Sequence, residues 1–90
     1  MSNLVNKLLK FVNNDSPSTS YHKIGPVLAT KDHDNDGNYV VELQHNDSYL
    51  YFEIDGYGNV VMKNACYLHS SDILTDVFYS FDGEIDPKCF

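Results

Sequence analysis

The sequence predicts an α+β domain: an N-terminal helix, a four-stranded antiparallel β-meander, and a C-terminal helix packed on one sheet face. Three observations predict it. Apolar residues recur at helical spacing near both ends, they alternate with polar ones through the middle, and turn residues punctuate that middle at short intervals. Ninety residues, 42% hydrophobic and 21% charged, suit one globular domain with a small core.

Leu4, Val5, Leu8, Leu9 and Val12 form one apolar stripe, with Phe11 beside it and Lys7 and Lys10 on the other side. They predict a helix over about 3–13, capped by Ser2 and ended by the polar run NNDSPSTS. Four strands are expected within 23–68. The first is KIGPVLATKD, in which Pro26 confines the strand to an edge or to its own first half. NYVVELQH and SYLYFEID are joined by Asn46-Asp47, and NVVMKNACYL follows through Gly56-Tyr57-Gly58. In SYLYFEID, Leu50, Phe52 and Ile54 share one face, and Tyr49, Tyr51, Glu53 and Asp55 the other. Ile73, Leu74, Val77, Phe78 and Phe81 predict a second helix over about 72–81, with Ser70 or Ser71 as its cap and Asp72 at its positive end. Asp76 lies one turn beyond Asp72, and residues 82–90 read as a tail.

Charge is uneven along the chain. Residues 1–31 balance to +3, whereas residues 32–90 set Lys63 and Lys88 against twelve carboxylates, a balance of −10. There is no arginine. This distribution argues against direct nucleic-acid binding, which draws on basic contacts to phosphate, and favours a basic partner. The apolar runs are too short for a membrane span, and the N-terminus lacks the apolar core and cleavage site of a secretory signal. A cytoplasmic protein is therefore expected, with Cys66 and Cys89 as free thiols.

The stretch KDHDNDGNYVVELQH opens like a calcium loop, with Asp32, Asp34 and Asp36 alternating before Gly37. The bidentate acid required at the twelfth position is replaced by Leu43, and Glu42 falls one residue short. A hairpin tip with solvated acids is the better reading, and a small calcium-binding domain using Asp32, Asp34, Asp36 and Glu42 the lesser one. His22, His33, His45 and His69 show no zinc-binding spacing. Cys66 and His69 would point to opposite faces of a strand, so they make a poor nucleophile pair. No catalytic set, cofactor motif or metal site is complete, and an enzyme is not expected.

What is left is an acidic surface with aromatic rings. Asp32, Asp34, Asp36, Tyr49, Tyr51, Glu53, Asp55, Asp72 and Asp76 are the expected partner-binding residues. Alternate strand residues lie about 6.8 Å apart on one face, the order of the spacing of neighbouring phosphates in a nucleic-acid strand. In charge, size and turn chemistry, the segment LATKDHDNDGNYVVELQHNDSYLYFEIDGYGNVVMKN resembles the acidic antiparallel meander of the uracil-DNA glycosylase inhibitors. More generally, the chain is similar to small acidic phage inhibitors, anti-CRISPR proteins among them, several of which imitate DNA. The Glu-Ser-Ile edge motif of the glycosylase inhibitors is absent, so no contact residue carries over. The resemblance implies an anti-defence inhibitor that occupies the basic surface of a nucleic-acid-handling protein. An immunity protein or antitoxin against a basic toxin would need the same acidic face.

Overall fold

The structure, a computed structural model, describes residues 3–13, 19–33, 37–81 and 84–85, with the backbone alone for 19–22 and 84–85. Helix α1 (Asn3–Asn13) turns Val5, Leu8 and Val12 into the core. Strands β1 (Thr19–Ile24), β2 (Val27–His33), β3 (Tyr39–His45), β4 (Ser48–Ile54) and β5 (Val60–Cys66) follow as an antiparallel meander in chain order. A 3₁₀ turn (Leu68–Ser70) leads into α2 (Asp72–Tyr79), and the two-residue strand β6 (Glu84–Ile85) runs parallel to β5. The class is α+β, and side chains from both helices join one core with the inner residues of β2 to β5.

The meander departs from the expected four strands at its start. KIGPVLATKD is not one strand but a hairpin. Ile24 pairs with Val27 across a two-residue turn, where Gly25 adopts φ 58° and Pro26 follows. Glycine at the first central position of such a turn matches the right-handed twist of the flanking strands, and proline sits in the turn instead of blocking a ladder. Its partner strand begins at Thr19, before the expected bound of 23 and inside the polar run expected to end the first helix. A side chain at Gly25 would also meet Leu4 of α1, since an added Cβ would lie 2.9 Å from Leu4 Cδ1. The hairpin and helix are thereby fitted to each other.

Three other expectations are corrected. Helix α2 ends at Tyr79, two residues before the expected bound of about 81, and Lys63 meets the Phe78 carbonyl of its last turn and the Phe81 carbonyl just beyond it. Part of the expected tail, Glu84–Ile85, pairs with Met62 and Lys63. Cys66, expected as a free thiol, is disulfide-bonded, and none of the described cysteines is free. Cys89 lies outside the described residues, as does Ser2, the expected cap of the first helix.

Strand β4 alternates fully, with Ser48, Leu50, Phe52 and Ile54 buried and Tyr49, Tyr51 and Glu53 half-buried. Phe52 and Phe78 are completely enclosed, and Phe81 meets Phe52 edge-on at 5.3 Å. Two lysines share this interior. Lys31, 2% exposed, donates from Nζ to the Phe11 carbonyl at 3.0 Å, near the end of α1. Lys63, 5% exposed, donates to the carbonyls of Phe78 at 2.8 Å and Phe81 at 2.6 Å, and its ammonium lies 4.2 Å from the Phe78 ring centre. A helix leaves its last carbonyls unbonded and carries partial negative charge there. Lys31 from β2 and Lys63 from β5, both on the inner face, thus serve one helix end each.

At the opposite end of α2 the expected serine cap is present. Ser71 Oγ accepts the Leu74 N–H at 3.2 Å. Ser48, also buried, donates to the Tyr67 carbonyl at 2.7 Å and fastens the start of β4 to the chain leaving β5.

Candidate functional site

Register places three rows of side chains on the sheet face turned away from the helices. Asp32, Val40, Glu53 and Met62 form one row, and Thr30, Glu42, Tyr51 and Asn64 the next. Leu28, Gln44, Tyr49 and Cys66 form the third. All are half-buried except Asp32 and Gln44, which are exposed. Antiparallel pairing produces this face directly, since every second residue of each strand must point away from the core.

The face has internal order. The Tyr49 hydroxyl donates to Glu42 Oε2 at 2.8 Å, a diagonal contact between β4 and β3. Burial first, and then the Glu42 carboxylate that accepts its proton, raises the Tyr49 phenol well above its usual range. Tyr49 thus remains a neutral donor that orients Glu42. Glu42 and Glu53 are diagonal neighbours, a relation that separates side chains by roughly 7–8 Å. Opposite Tyr51, the Asn64 Oδ1 is enclosed and has no hydrogen-bond partner. Leaving such an acceptor unmet costs about 1–3 kcal/mol.

Of the expected partner-binding residues, Asp32, Tyr49, Tyr51 and Glu53 are brought together here. Glu42, considered only as a calcium ligand, belongs with them. Asp34 and Asp36 lie outside the described residues. Asp55 is committed to the loop between β4 and β5, where Oδ1 accepts the N–H groups of Tyr57 and Asn59, each at 2.9 Å. The Asn59 bond foremost holds its carboxyl below the usual carboxylate range. Asp72 and Asp76 are exposed on α2, on the other side of the sheet. The alternation that sorts β4 into two faces, applied equally to β3 and β5, adds Val40, Glu42, Met62 and Asn64.

His45 Nδ1 shares a hydrogen bond with Ser71 Oγ at 2.7 Å, in a shallow pocket of about 340 Å³ that also holds His69 and Asp72. Ser71 is 2% exposed and already caps α2, so this pair anchors a helix and presents no nucleophile to a substrate. The disulfide at Cys66 removes the nucleophile from any pairing with His69. Among the described residues, no group of three or more His, Cys, Asp and Glu side chains is placed to hold a metal ion. No helix among them is long and apolar enough to cross a membrane.

No family model matches the sequence, and neither a curated protein nor a solved structure is significantly similar to it.

Proposed function

We propose that this protein is a small acidic binding module whose outer sheet face, turned away from the two described helices, occupies the basic, nucleic-acid-binding surface of a target protein. It acts as an inhibitor of the phage anti-defence, DNA-mimic type. The observation that supports this reading is the interleaving of Asp32, Glu42 and Glu53 with Tyr49 and Tyr51 on that face. Carboxylates at separations of roughly 7–8 Å suit a groove lined with Lys and Arg. The tyrosines supply large, stiff, amphipathic contact area at its centre. A net charge of −7 adds long-range attraction that speeds encounter and weakens with salt.

The test begins with capture of the target on immobilised protein at low salt. The captured protein is then titrated with the wild type and with the Asp32→Asn, Glu42→Gln, Glu53→Gln triple variant, with a DNA duplex as competitor. Competition by the duplex, together with slower association of the variant, supports the reading. A target that the duplex does not displace, or one that binds the variant equally fast, overturns it.

A further inference from the structure

Five described residues have positive φ, and four of them are glycine or asparagine: Gly25, Gly37, Asn46 and Gly58. The fifth is Tyr67, at φ 51° and ψ 44°, in the left-handed region that a bulky side chain enters only at a cost. The fold needs that backbone conformation. The Tyr67 carbonyl accepts from Ser48 Oγ at 2.7 Å and from the Ser70 N–H at 3.0 Å, which ties the chain leaving β5 to the start of β4. Asn46 Nδ2, from the neighbouring turn between β3 and β4, donates to the Ser70 carbonyl at 2.9 Å. The fold does not need the ring. Tyr67 is 75% exposed, and among the described residues its side chain enters no hydrogen bond or ring contact. Glycine would meet the same backbone bonds with less strain. A tyrosine held at such a position is explained by what its ring reaches outside the molecule.

We propose that Tyr67 is an arginine-binding residue: its ring takes the guanidinium of an arginine on a basic partner, at the β5 margin of the outer face. This rests on the acidic, partner-binding reading given above for the sign of the partner's charge. Tyr67 follows Cys66, which closes the row that contains Gln44 and Tyr49, so a partner lying on that face reaches the ring at its border. Asp47 is exposed on the turn that Asn46 and Ser48 fasten to this segment, and it supplies a carboxylate at the same end of the sheet. A guanidinium is flat, always charged and weakly hydrated, so it stacks on a phenol ring and still directs N–H groups at a carboxylate. An ammonium is compact and strongly hydrated, and gains less from the ring. The hydrogen-bonded backbone fixes the base of the Tyr67 side chain before the partner arrives, which lowers the ordering cost of binding.

The test uses the full chain as wild type, as Tyr67→Gly and Tyr67→Phe, and as the Asp32→Asn, Glu42→Gln, Glu53→Gln triple variant. Each is melted, and each is titrated with octa-arginine and octa-lysine peptides at about 0.15 M salt. Tyr67→Gly should raise the melting temperature by roughly 2–6 °C, because the left-handed position is relieved. It should weaken octa-arginine binding about three- to fivefold and leave octa-lysine nearly unchanged, whereas Tyr67→Phe should keep the wild-type preference for arginine. A lower melting temperature for Tyr67→Gly would show that the ring supports the fold, and would overturn the proposal. So would a wild type that binds both peptides equally or neither, or a Tyr67→Gly variant that loses both peptides alike. The triple variant separates this proposal from the reading of the outer face. Octa-arginine affinity lost in the triple variant but kept in Tyr67→Gly removes Tyr67 and retains the outer face. The reverse pattern retains Tyr67 and removes the outer face.

Discussion

Strand β4 presents Leu50, Phe52 and Ile54 to the helices, each at most 2% exposed, and Tyr49, Tyr51 and Glu53 to the other side, each half-buried. The same seven residues thus contribute to two surfaces with different physics. On the inner one, apolar area is removed from water and the two polar intruders, Lys31 and Lys63, are hydrogen-bonded to helix ends. On the outer one, rings and carboxylates lie side by side, a hydroxyl is aimed at a carboxylate, and the Asn64 Oδ1 goes unmet. The difference teaches that the inner face holds the fold together by apolar burial, while the outer face carries the sheet's carboxylates and side-chain polar contacts.

The largest effect should come from the inner face. Phe78→Ala opens a cavity beneath fully enclosed neighbours and should cost about 3–5 kcal/mol in denaturant unfolding. A loss under about 1 kcal/mol would mean that the helix layer is not a packed interior. Lys63→Met keeps an unbranched side chain, one atom shorter, but removes the donor that serves the Phe78 and Phe81 carbonyls, and should cost about 2–3 kcal/mol. If Lys63→Met were neutral, the lysine would be a bystander and not the cap of α2.

On the outer face the ordering should reverse, with binding hit harder than stability. Tyr51→Ala should weaken target affinity by about 2 kcal/mol, mainly through faster dissociation, while unfolding changes by about 1 kcal/mol. Asn64→Val removes the unmet acceptor and adds a β-branched side chain, so it should stabilise the fold by about 1 kcal/mol. A clear destabilisation would show that Asn64 supports the face from within.

The smallest effect is a pH dependence. The Tyr49 phenol is raised above its ordinary value of 10.0 in the folded state. Its contribution to stability is therefore present in full below that value and lost as pH climbs through the folded pKa. Tyr49→Phe should flatten the alkaline limb of the stability profile and leave the neutral region nearly unchanged. An alkaline limb identical in both proteins would show that the bond to Glu42 does not tie Tyr49's titration to folding.

Much of this division could be read from sequence where one face of a strand is wholly apolar. SYLYFEI alternates without exception, so its register and both its surfaces follow from period two alone. The stripe of α1 and the serine cap of α2 are local signals of the same kind. Strand β1 was missed because its residues are polar and its place depends on the Gly25-Pro26 turn, not on a hydrophobic pattern. Lys31 and Lys63 were counted as surface charge. Both occupy inward positions where carbonyls distant in sequence, those of Phe11 and Phe78, accept their hydrogen bonds. Asp55 was read as a binding group, although an aspartate followed by Gly56-Tyr57-Gly58 carries a turn signal that could have assigned it to its own loop. Asp72 and Asp76 share the acidity of the face but not its side, since total charge says nothing about which layer an element joins.

The two enclosed lysines have a practical consequence for handling the molecule. Reagents that couple to primary amines cannot reach Lys31 or Lys63 in the folded state, but they can reach Lys7, Lys10 and Lys23, all exposed on α1 and β1. Immobilisation through those amines would grip the protein at its first helix and first strand, leaving the Glu42–Tyr49 pair and its neighbours presented to solution.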